Sequence, residues 1–277
     1  LWQDLLTKIR KEVFSRMEQR NIIPKIIHFW GLSGEEMPAK LKECIQTWKR
    51  IMPDYELRCW DMNSFDIHSV RFVEQACSMK KWAFAADYIR LYALYTCGGI
   101  YLDSDVLVFR RFDTFLHNSG FASVESYLYQ AKPGEKYDFW IDAAMIASEK
   151  GNPFIKDCLD YYQDRDFIKE DGSFDESIVC HIIADIAENK YGFKRGVYQS
   201  SPIELKDGVF SIYPPYVFSH LRGDIRRSTY AIHLFNGSWR DKKGQKSLSL
   251  IERIHRLFVK IFNEKIWGIL YFKIRKV

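Results

Sequence analysis

The chain has 277 residues, and apolar residues make up 47% of it, which is enough to bury a full hydrophobic core. Charged residues make up 28% and aromatic residues 16%, a mixture that excludes a disordered tail or a fibrous repeat. The net charge of +5 is uneven, because residues 240–277 hold 11 Lys or Arg against 3 Asp or Glu. A local basic excess argues against a protein that coats nucleic acid, and we expect no nucleic-acid partner.

The first half of the chain predicts helices and strands in alternation. Residues 3–20 have the periodicity of an amphipathic helix, and the β-branched run at 22–31 predicts a first buried strand. The elements predicted next are a helix at 41–51, a strand at 55–60, a helix at 70–79 and a helix at 81–97. Gly98-Gly99 ends the last of these helices, since a helix C-terminus favours a residue with left-handed backbone.

The second half continues the pattern. A strand at 100–102 is interrupted by Asp103-Ser104-Asp105 and followed by a further extended run at 106–108. A helix near 176–188 and a strand at 230–234 complete the predicted elements. No repeat or Pro/Gly-rich linker divides them, so the pattern predicts one α/β domain with an open sheet.

The six cysteines are scattered and none forms a C-x-x-C pair. Widely spaced cysteines in a chain of this length are typical of small buried apolar side chains in a reducing compartment. No apolar run approaches the roughly 18 residues that a membrane-spanning helix needs. We therefore expect a cytoplasmic protein, with attachment to a membrane surface as an option.

The segment from Gly98 to Val106 carries the clearest chemical motif. In an extended segment, residues two apart point the same way, so Asp103 and Asp105 are expected to present their carboxylates to one side of a strand end. Two neighbouring carboxylates repel each other unless a cation lies beside them, and Mg²⁺ or Mn²⁺ prefers such oxygen ligands. The alternative is a solvated turn, but the apolar strand and the glycine pair before the motif favour a functional site.

Upstream of this motif, Asp87 and Arg90 lie one helical turn apart and are predicted to share a helix face. An exposed intrahelical ion pair would explain them without any function. The alternative is that both side chains point at a polar ligand, because their helix leads directly into the Asp103–Asp105 segment.

The sequence resembles glycosyltransferase family thirty-two in three ordered blocks. These are the run at 23–31 (IPKIIHFWG), the Asp87-Tyr88-Ile89-Arg90 and 98–106 motifs, and the segment at 230–239 that ends in Ser-Trp. The family contains fungal initiating mannosyltransferases, lactosylceramide-type galactosyltransferases and bacterial capsular polysaccharide transferases, and the chain is also similar to the glucosylating domains of clostridial toxins. A looser likeness at 141–153 ends in E-K-G-N-P.

The resemblance implies a GT-A-type fold, a single mixed sheet flanked by helices, in which a D-x-D motif holds Mn²⁺ or Mg²⁺ against a sugar-nucleotide diphosphate. It implies transfer with retention of anomeric configuration. The residues that the resemblance assigns to the metal are Asp105, His233, Asp103 and Asn236. Those assigned to the donor are His28, Phe29, Trp30, Asp87, Arg90, Asp103, Ser238 and Trp239. Asp103, Asp105, Trp239 and Asp142 are expected to act in catalysis, Asp142 by binding the sugar or the acceptor.

His233 taken alone has a simpler explanation as a buried core histidine. Ser238 and Trp239 behind it favour a metal ligand, since imidazole is an acceptable ligand for Mn²⁺.

These features predict a retaining, metal-dependent hexosyltransferase, with UDP-galactose as the expected donor and a glycan or lipid-linked saccharide as the acceptor. Synthesis of capsular or surface polysaccharide is the expected context. Two alternatives are a phosphatase of the haloacid-dehalogenase type and a non-enzymatic carbohydrate-binding module. The phosphatase would need later Lys and paired-Asp motifs, and the binding module would not need the metal-binding residues.

The end of the chain, residues 248–277, has the pattern of a basic amphipathic helix. Within residues 248–277 apolar side chains recur at helical spacing, with Lys and Arg between them. A basic amphipathic helix with aromatic residues is able to lie on an anionic membrane surface, and the alternative is a helix packed on the domain. We therefore divide the chain into a catalytic domain at 1–247 and a C-terminal amphipathic helix at 248–277.

Overall fold

The structure is a computed structural model that describes residues 21–31, 36–125, 139–196, 201–220 and 228–234. Its helices are α1 (Ala39–Ile51), α2 (Arg71–Ser78), α3 (Trp82–Cys97), α4 (Pro153–Asp160) and α5 (Val179–Tyr191). Its strands are β1 (Ile26–Trp30), β2 (Glu56–Trp60), β3 (Gly99–Leu102), β4 (Val106–Val108), β5 (Gly120–Glu125), β6 (Trp140–Ser148), β7 (Ile203–Glu204), β8 (Ser211–Tyr213), β9 (Phe218–His220) and β10 (Ala231–His233). Among the described residues, no helix combines the length and the apolar character needed to cross a membrane.

Ten strands form two sheets within the described residues. The larger sheet has the order β2-β1-β3-β6-β5-β8-β7, and the smaller has the order β4-β10-β9. Strands β2, β1 and β3 run parallel, with Ile27 of β1 opposite Leu57 on one side and Ile100 on the other. Strand β6 runs antiparallel to both β3 and β5, so the larger sheet is mixed. Because parallel strands end at the same sheet edge, the residues that follow β1, β2 and β3 lie at one edge.

The central strands of the larger sheet are buried on both faces, as expected for a sheet between helical layers. Along β6 every residue after Trp140 is buried. Ile146 of this strand packs in a cluster with side chains of α2 to α5, whereas Ala147 packs in a second cluster with Trp48 of α1. Apolar residues on both faces of the strand therefore hold the sheet between two cores.

Gly98 and Gly99 make the change from α3 to β3 possible. Their φ angles are +67° and +121°, which residues with a side chain rarely adopt. A Cβ atom on Gly98 would lie 2.7 Å from the Lys150 amide nitrogen, and one on Gly99 would lie 2.7 Å from the Ile26 carbonyl oxygen. The helix stop predicted from the sequence is thus required both by backbone angle and by close packing.

The structure confirms most of the predicted elements within the residues it describes. An α/β architecture with a mixed sheet flanked by helices is confirmed, as the resemblance to the GT-A type implies. The described strands form two sheets instead of the single sheet expected, because β4 leaves the larger sheet after Asp105 and pairs with β10. The first strand begins at Ile26 instead of residue 22, because the Ile26 amide bonds back to the Pro24 carbonyl in a turn. The helix predicted near 176–188 begins at Val179 instead of residue 176.

One further expectation, on the cysteines, needs correction, and two predicted helices lie outside the described residues. Cys44, Cys77 and Cys158 are buried as expected, but Cys59 is exposed, because it lies on the edge strand β2. The helices predicted at 3–20 and 248–277 lie outside the described residues.

Candidate active site

Asp103 and Asp105 lie in a turn between the two sheets. The Asp103 amide donates to the Ala144 carbonyl at 2.9 Å, which anchors it to β6, and the Val106 amide donates to the Asp103 carbonyl at 2.9 Å, which closes the turn. The sequence predicted that the two carboxylates are presented to one side of an extended segment; their convergence is confirmed, but the extended backbone is wrong, because residues 104–105 form a turn. The carboxylates approach each other because the chain folds back before it enters β4.

His233 reaches the same place from the far end of the chain. It ends β10, which runs antiparallel to β4 and sets His233 opposite Val106. The Leu234 amide donates to the Asp105 carbonyl at 3.1 Å and holds the two segments together. His233 Nε2 lies 3.1 Å from Asp105 Oδ1 and 3.9 Å from Asp103 Oδ2. The structure therefore brings three of the predicted metal ligands together.

The three side chains form a donor set that fits a divalent cation. One ligand atom from each of Asp103, Asp105 and His233 lies within 4.8 Å of the others. Two carboxylate oxygens and one imidazole nitrogen suit Mn²⁺, and the oxygens also suit Mg²⁺. Burial alone would lower the pKa of His233, but the negative charges of Asp105 and Asp103 raise it to about 9. The site thus attracts positive charge strongly, and a proton on His233 supplies it when no metal is bound.

Arg90 holds one oxygen of Asp103 away from the His233 side. Its Nη2 lies 2.9 Å from Asp87 Oδ1 and 3.4 Å from Asp103 Oδ1, and its Nη1 donates to the Ala143 carbonyl at 2.6 Å. The guanidinium also stacks over the Tyr101 ring, 4.8 Å from its centre. The two oxygens of Asp103 therefore face different partners: Oδ1 lies toward Arg90 and Oδ2 lies toward His233.

Asp87 and Arg90 share a face of α3, as predicted, but they are not an exposed pair. Asp87 is 9% exposed and Arg90 is 5% exposed. Burial raises the pKa of Asp87 to about 7, although the charge of Arg90 opposes the shift. A buried ion pair that also contacts Asp103 belongs to the same site, which favours the functional interpretation of this motif over the structural one.

Asp142 lies on β6, inside the protein and close to these charges. Its Oδ1 accepts a hydrogen bond from the Ala144 amide at 2.8 Å, while its Oδ2 is buried and accepts none from any residue that the structure describes. Burial and the nearby charge of Glu125 raise its pKa to about 7, and His233 opposes the shift. An oxygen left without a partner inside a protein is unfavourable, so this carboxyl has capacity to bind a further group.

Glu125 is a buried acidic residue that the sequence analysis missed. It ends β5, opposite Trp140 of β6, and is 6% exposed. It closes a fully buried strand, whereas Asp103 directly follows one. An acidic residue at the end of a buried strand is the feature that could have drawn attention to it.

The segment around His28, expected to flank a nucleotide base, is mostly core. His28 is fully buried; its Nε2 donates to the Gly98 carbonyl at 2.8 Å and its Nδ1 accepts from the Trp60 indole at 3.0 Å. Burial lowers the pKa of His28 to about 4, so the ring stays neutral. Its imidazole is not available to a ligand. Phe29 packs edge-on against Trp48 on the opposite face, at 5.6 Å.

Trp30 is 8% exposed, and it lies at the sheet edge where β1 and β3 end. Of this segment, Trp30 and the main chain that follows it are therefore nearest to the D-x-D turn. The predicted roles of Asn236, Ser238 and Trp239 concern residues outside the described part of the chain, and they stay predictions.

Comparison with known proteins points to the same region. Residues 38–122 match the family described as "Glycosyltransferase sugar-binding region containing DXD motif". The match includes Asp87, Arg90, Asp103 and Asp105, and it confirms the DXD-type glycosyltransferase region expected from the sequence. His233, which the resemblance assigned to the metal, lies beyond the matched residues, and its contact with Asp105 is seen in the structure.

A curated relative and several solved structures are similar to the chain. Inositol phosphoceramide mannosyltransferase 3 of Schizosaccharomyces pombe is 37% identical over 153 residues, which span 52% of this chain and 38% of the relative's length. The PaToxG glycosyltransferase structure is 18% identical, with a TM-score of 0.44 over 66% of this chain and 78% of that one. The galactosyltransferase LgtC is 13% identical, with a TM-score of 0.37 over 84% of this chain and 94% of that one. The chain thus spans well under half the length of the curated relative that it matches. Its likeness to glycosyltransferases rests on the sequence similarity to that protein and to the DXD region.

Proposed function

We propose that the protein is a metal-dependent glycosyltransferase of the GT-A type, which transfers a hexose from a nucleotide-diphosphate sugar to a saccharide acceptor. The observation that carries this proposal is the convergence of Asp103, Asp105 and His233 on one point, with their ligand atoms within 4.8 Å. This point lies just past the end of β3, at the edge where the parallel strands end. Open α/β sheets bind their ligands at that edge.

The charge of the site supports a cation-dependent reaction. Four aspartates and Glu125 are buried or half-buried here, and the cationic groups that lie among them in the described part of the chain include Arg90 and His233. The aspartates are Asp87, Asp103, Asp105 and Asp142. A site with this excess of carboxylates would repel a diphosphate by itself, so an anionic donor requires a bridging cation.

Each residue then has a role that follows from its position. Asp105, His233 and Asp103 would hold the metal ion, which supplies electrostatic stabilisation of the charge that builds on the departing diphosphate. Arg90 fixes the orientation of Asp103 through Oδ1. Asp87 would accept hydrogen bonds from hydroxyls of the transferred sugar, and Asp142, with its unpartnered Oδ2, would do the same for the sugar or the acceptor.

The finer assignments rest on the resemblance and on the relative. They include retention of anomeric configuration, contacts of Trp239, Ser238 and Asn236 with the metal or diphosphate, and a catalytic domain at 1–247. UDP-galactose is the proposed donor; the likeness to a mannosyltransferase makes GDP-mannose the first competitor. A saccharide or lipid-linked acceptor, a role in capsular polysaccharide synthesis and cytoplasmic attachment to a membrane through 248–277 complete the proposal.

A donor panel tests this function. The full chain is incubated with UDP-galactose, UDP-glucose, UDP-GlcNAc or GDP-mannose, and release of the nucleoside diphosphate is measured with Mn²⁺, with Mg²⁺ and with a chelator. We expect slow hydrolysis of one donor, which the chelator abolishes. Hydrolysis of none of them, or hydrolysis that the chelator does not affect, would contradict the proposal. Release of phosphate from an aryl phosphate in the same assay would instead favour the phosphatase.

A further inference from the structure

Strand β4 connects two of the proposed metal ligands. Its first residue, Val106, follows Asp105 in the chain and lies opposite His233 of the antiparallel strand β10. A shift of Val106 would therefore change the position of Asp105 relative to His233. Within the described residues the smaller sheet has the order β4-β10-β9, so β4 is an edge strand and has a neighbouring strand on one side only.

The other side of β4 is held by helix α1. The Val106 carbonyl accepts a hydrogen bond from Trp48 Nε1 at 2.8 Å. Two residues further along the strand, the Val108 amide donates to Thr47 Oγ1 at 3.1 Å. Backbone groups of residues two apart in a strand point to the same side, and they need a partner when they are buried. Two adjacent side chains of α1 thus take the place of a neighbouring strand.

Both of these side chains are held firmly by the core. Trp48 is fully buried and its ring packs edge-on against Phe29. Thr47 is 4% exposed, and its hydroxyl donates to the Cys44 carbonyl at 2.7 Å within the same helix. A side chain enclosed in this way offers its hydrogen bond in one fixed direction. The contacts with α1 therefore constrain where β4 lies.

The bonds on the site's own side join the ligand-bearing segments to one another. The Leu234 amide donates to the Asp105 carbonyl, and the Val106 amide donates to the Asp103 carbonyl. The bond from Trp48 adds an anchor that lies 58 residues away in the chain. It fixes the peptide that directly follows the Asp105–Val106 peptide, and so it limits how far Asp105 is able to move.

We propose that Trp48, assisted by Thr47, is a positioning residue of the metal site, which holds β4 so that Asp105 and His233 keep a spacing that suits a divalent cation. Asp105 Oδ1 lies 3.1 Å from His233 Nε2. Groups behind the ligands control metal affinity, and their replacement commonly weakens it by roughly 10- to 100-fold. Trp48 acts one step further away, through the backbone of β4. The inference rests on the metal site of the proposed function.

The first test compares two buried tryptophans in the full chain. Trp48→Phe keeps an aromatic ring in the core but removes the N–H that bonds Val106. Trp60→Phe is the matched control, because it removes the same atoms from a buried indole whose N–H bonds His28 Nδ1 at 3.0 Å, away from β4. Urea unfolding of both variants shows how far each loses stability, so that an effect on metal binding is separated from a general loss of packing.

A second pair of variants uses the threonines and makes a smaller change. Thr47→Val keeps the size of the side chain but removes the oxygen that accepts from Val108. Thr96→Val is its matched control, because the Thr96 hydroxyl donates to the Tyr92 carbonyl at 2.7 Å within α3, as that of Thr47 does within α1. This pair decides the question if Trp48→Phe fails to fold.

The measurement is the binding of Mn²⁺ alone, followed by electron paramagnetic resonance of the free ion and without any sugar nucleotide. Trp48→Phe should raise the Kd for Mn²⁺ roughly tenfold and Thr47→Val roughly threefold, whereas both controls should stay within about twofold of the unaltered chain. The effect of Thr47 is smaller because Val108 lies further from Asp105 than Val106 does.

The outcomes separate this inference from the proposed function. If the unaltered chain binds no Mn²⁺, the inference is overturned together with the metal site. If the unaltered chain binds Mn²⁺ and the folded α1 variants bind it as tightly as their controls, only the inference is overturned. Binding that depends on Trp48, without hydrolysis of any sugar nucleotide, would support the inference and contradict the proposed glycosyltransferase activity.

Discussion

Two clusters of charged side chains in this protein differ in depth and in balance. The buried cluster consists of Asp87, Arg90, Asp103, Asp105 and His233. The surface cluster consists of Lys25, Asp54, Arg111 and Asp113, with ion pairs of 2.7 to 2.8 Å. The surface cluster balances two cations with two carboxylates. The buried cluster has three carboxylates, one guanidinium and a histidine that becomes cationic only by binding a proton.

The carboxyl groups of the two clusters respond in opposite directions. Hydrogen bonds from Lys25 and then Arg111 lower the pKa of Asp54 to about 2. Burial raises the pKa of Asp87 to about 7 in spite of Arg90. The opposite charges of the surface cluster therefore balance each other, whereas the buried cluster still favours the binding of a further positive charge. This preference for an added cation, more than the number of charges, distinguishes a candidate site from a structural network of ion pairs.

The largest expected effect is on activity. Asp105→Asn keeps the size of the side chain but removes a charge next to His233, so metal-dependent turnover of the sugar nucleotide should fall on the order of a thousandfold. Asp113→Asn makes the same change in the surface cluster and should leave turnover unchanged. The measurement is kcat/KM for donor hydrolysis at saturating Mn²⁺, and equal activities in the two variants would remove the distinction between the clusters.

The next effect is on stability. Arg90→Met fills a similar volume but leaves Asp87 and Asp103 without their buried partner. The free energy of unfolding should fall by roughly 3–5 kcal/mol, as measured by urea unfolding. A loss below about 1 kcal/mol would mean that these carboxylates do not depend on Arg90.

The pH dependence of stability provides a third comparison. The Asp142 carboxyl, with a pKa raised to about 7 from an ordinary 3.8, holds a proton in the folded state over a range where the unfolded chain releases it. The stabilisation is complete below about pH 4 and is lost as the pH rises toward 7, by about 1.4 kcal/mol per pH unit at most. Asp142→Asn should remove the Asp142 part of this slope from urea unfolding curves recorded between pH 4 and 7, and leave the part due to Asp87, whose pKa is also raised to about 7.

Asp113 serves as the control for that experiment, because its pKa is lowered although burial opposes the shift. Its contribution is complete above pH 4 and is lost only below, so Asp113→Asn should leave the slope between pH 4 and 7 as it is. A slope in Asp142→Asn that equals the slope of the unaltered chain would contradict the contribution assigned to Asp142.

The smallest effect is expected in the surface cluster. Arg111→Met breaks its contacts with Asp113, whose side chain is 36% exposed, so the free energy of unfolding should change by less than about 1 kcal/mol. Urea unfolding at low and high salt measures it, and added salt should narrow the gap between the variant and the unaltered chain. A loss of unfolding free energy as large as that of Arg90→Met would show that burial does not account for the difference between the two clusters.

Much of the fold could be predicted from local pattern. The runs that became β1, β2 and β3, the helices between them and the Gly98-Gly99 stop all follow from side-chain period and backbone freedom. The pairing of these strands could not be read in the same way. Strand β6 lies between β3 and β5, and β4 leaves the larger sheet although it follows β3 after only three residues.

The candidate site shows the same division. Asp87, Arg90, Asp103 and Asp105 could be proposed because their spacing in one short region already indicates a shared ligand. Glu125 was missed, since it belongs to no spaced motif and only its place at the end of a buried strand sets it apart. His28 was assigned to the ligand by resemblance, but its two ring nitrogens bond Gly98 and Trp60 inside the core.

The amino-acid sequence by itself determined which side chains are able to bind a cation and which backbone positions need glycine, because these are properties of single residues and of near neighbours. Only the tertiary structure decided how closely His233 approaches Asp105, that Arg90 takes one oxygen of Asp103, and that one oxygen of Asp142 accepts no hydrogen bond from the described residues. Those facts depend on the antiparallel pairing of β10 with β4 and of β6 with β3. Such pairings join segments distant in the chain, and their free energy comes from burial that no local pattern records.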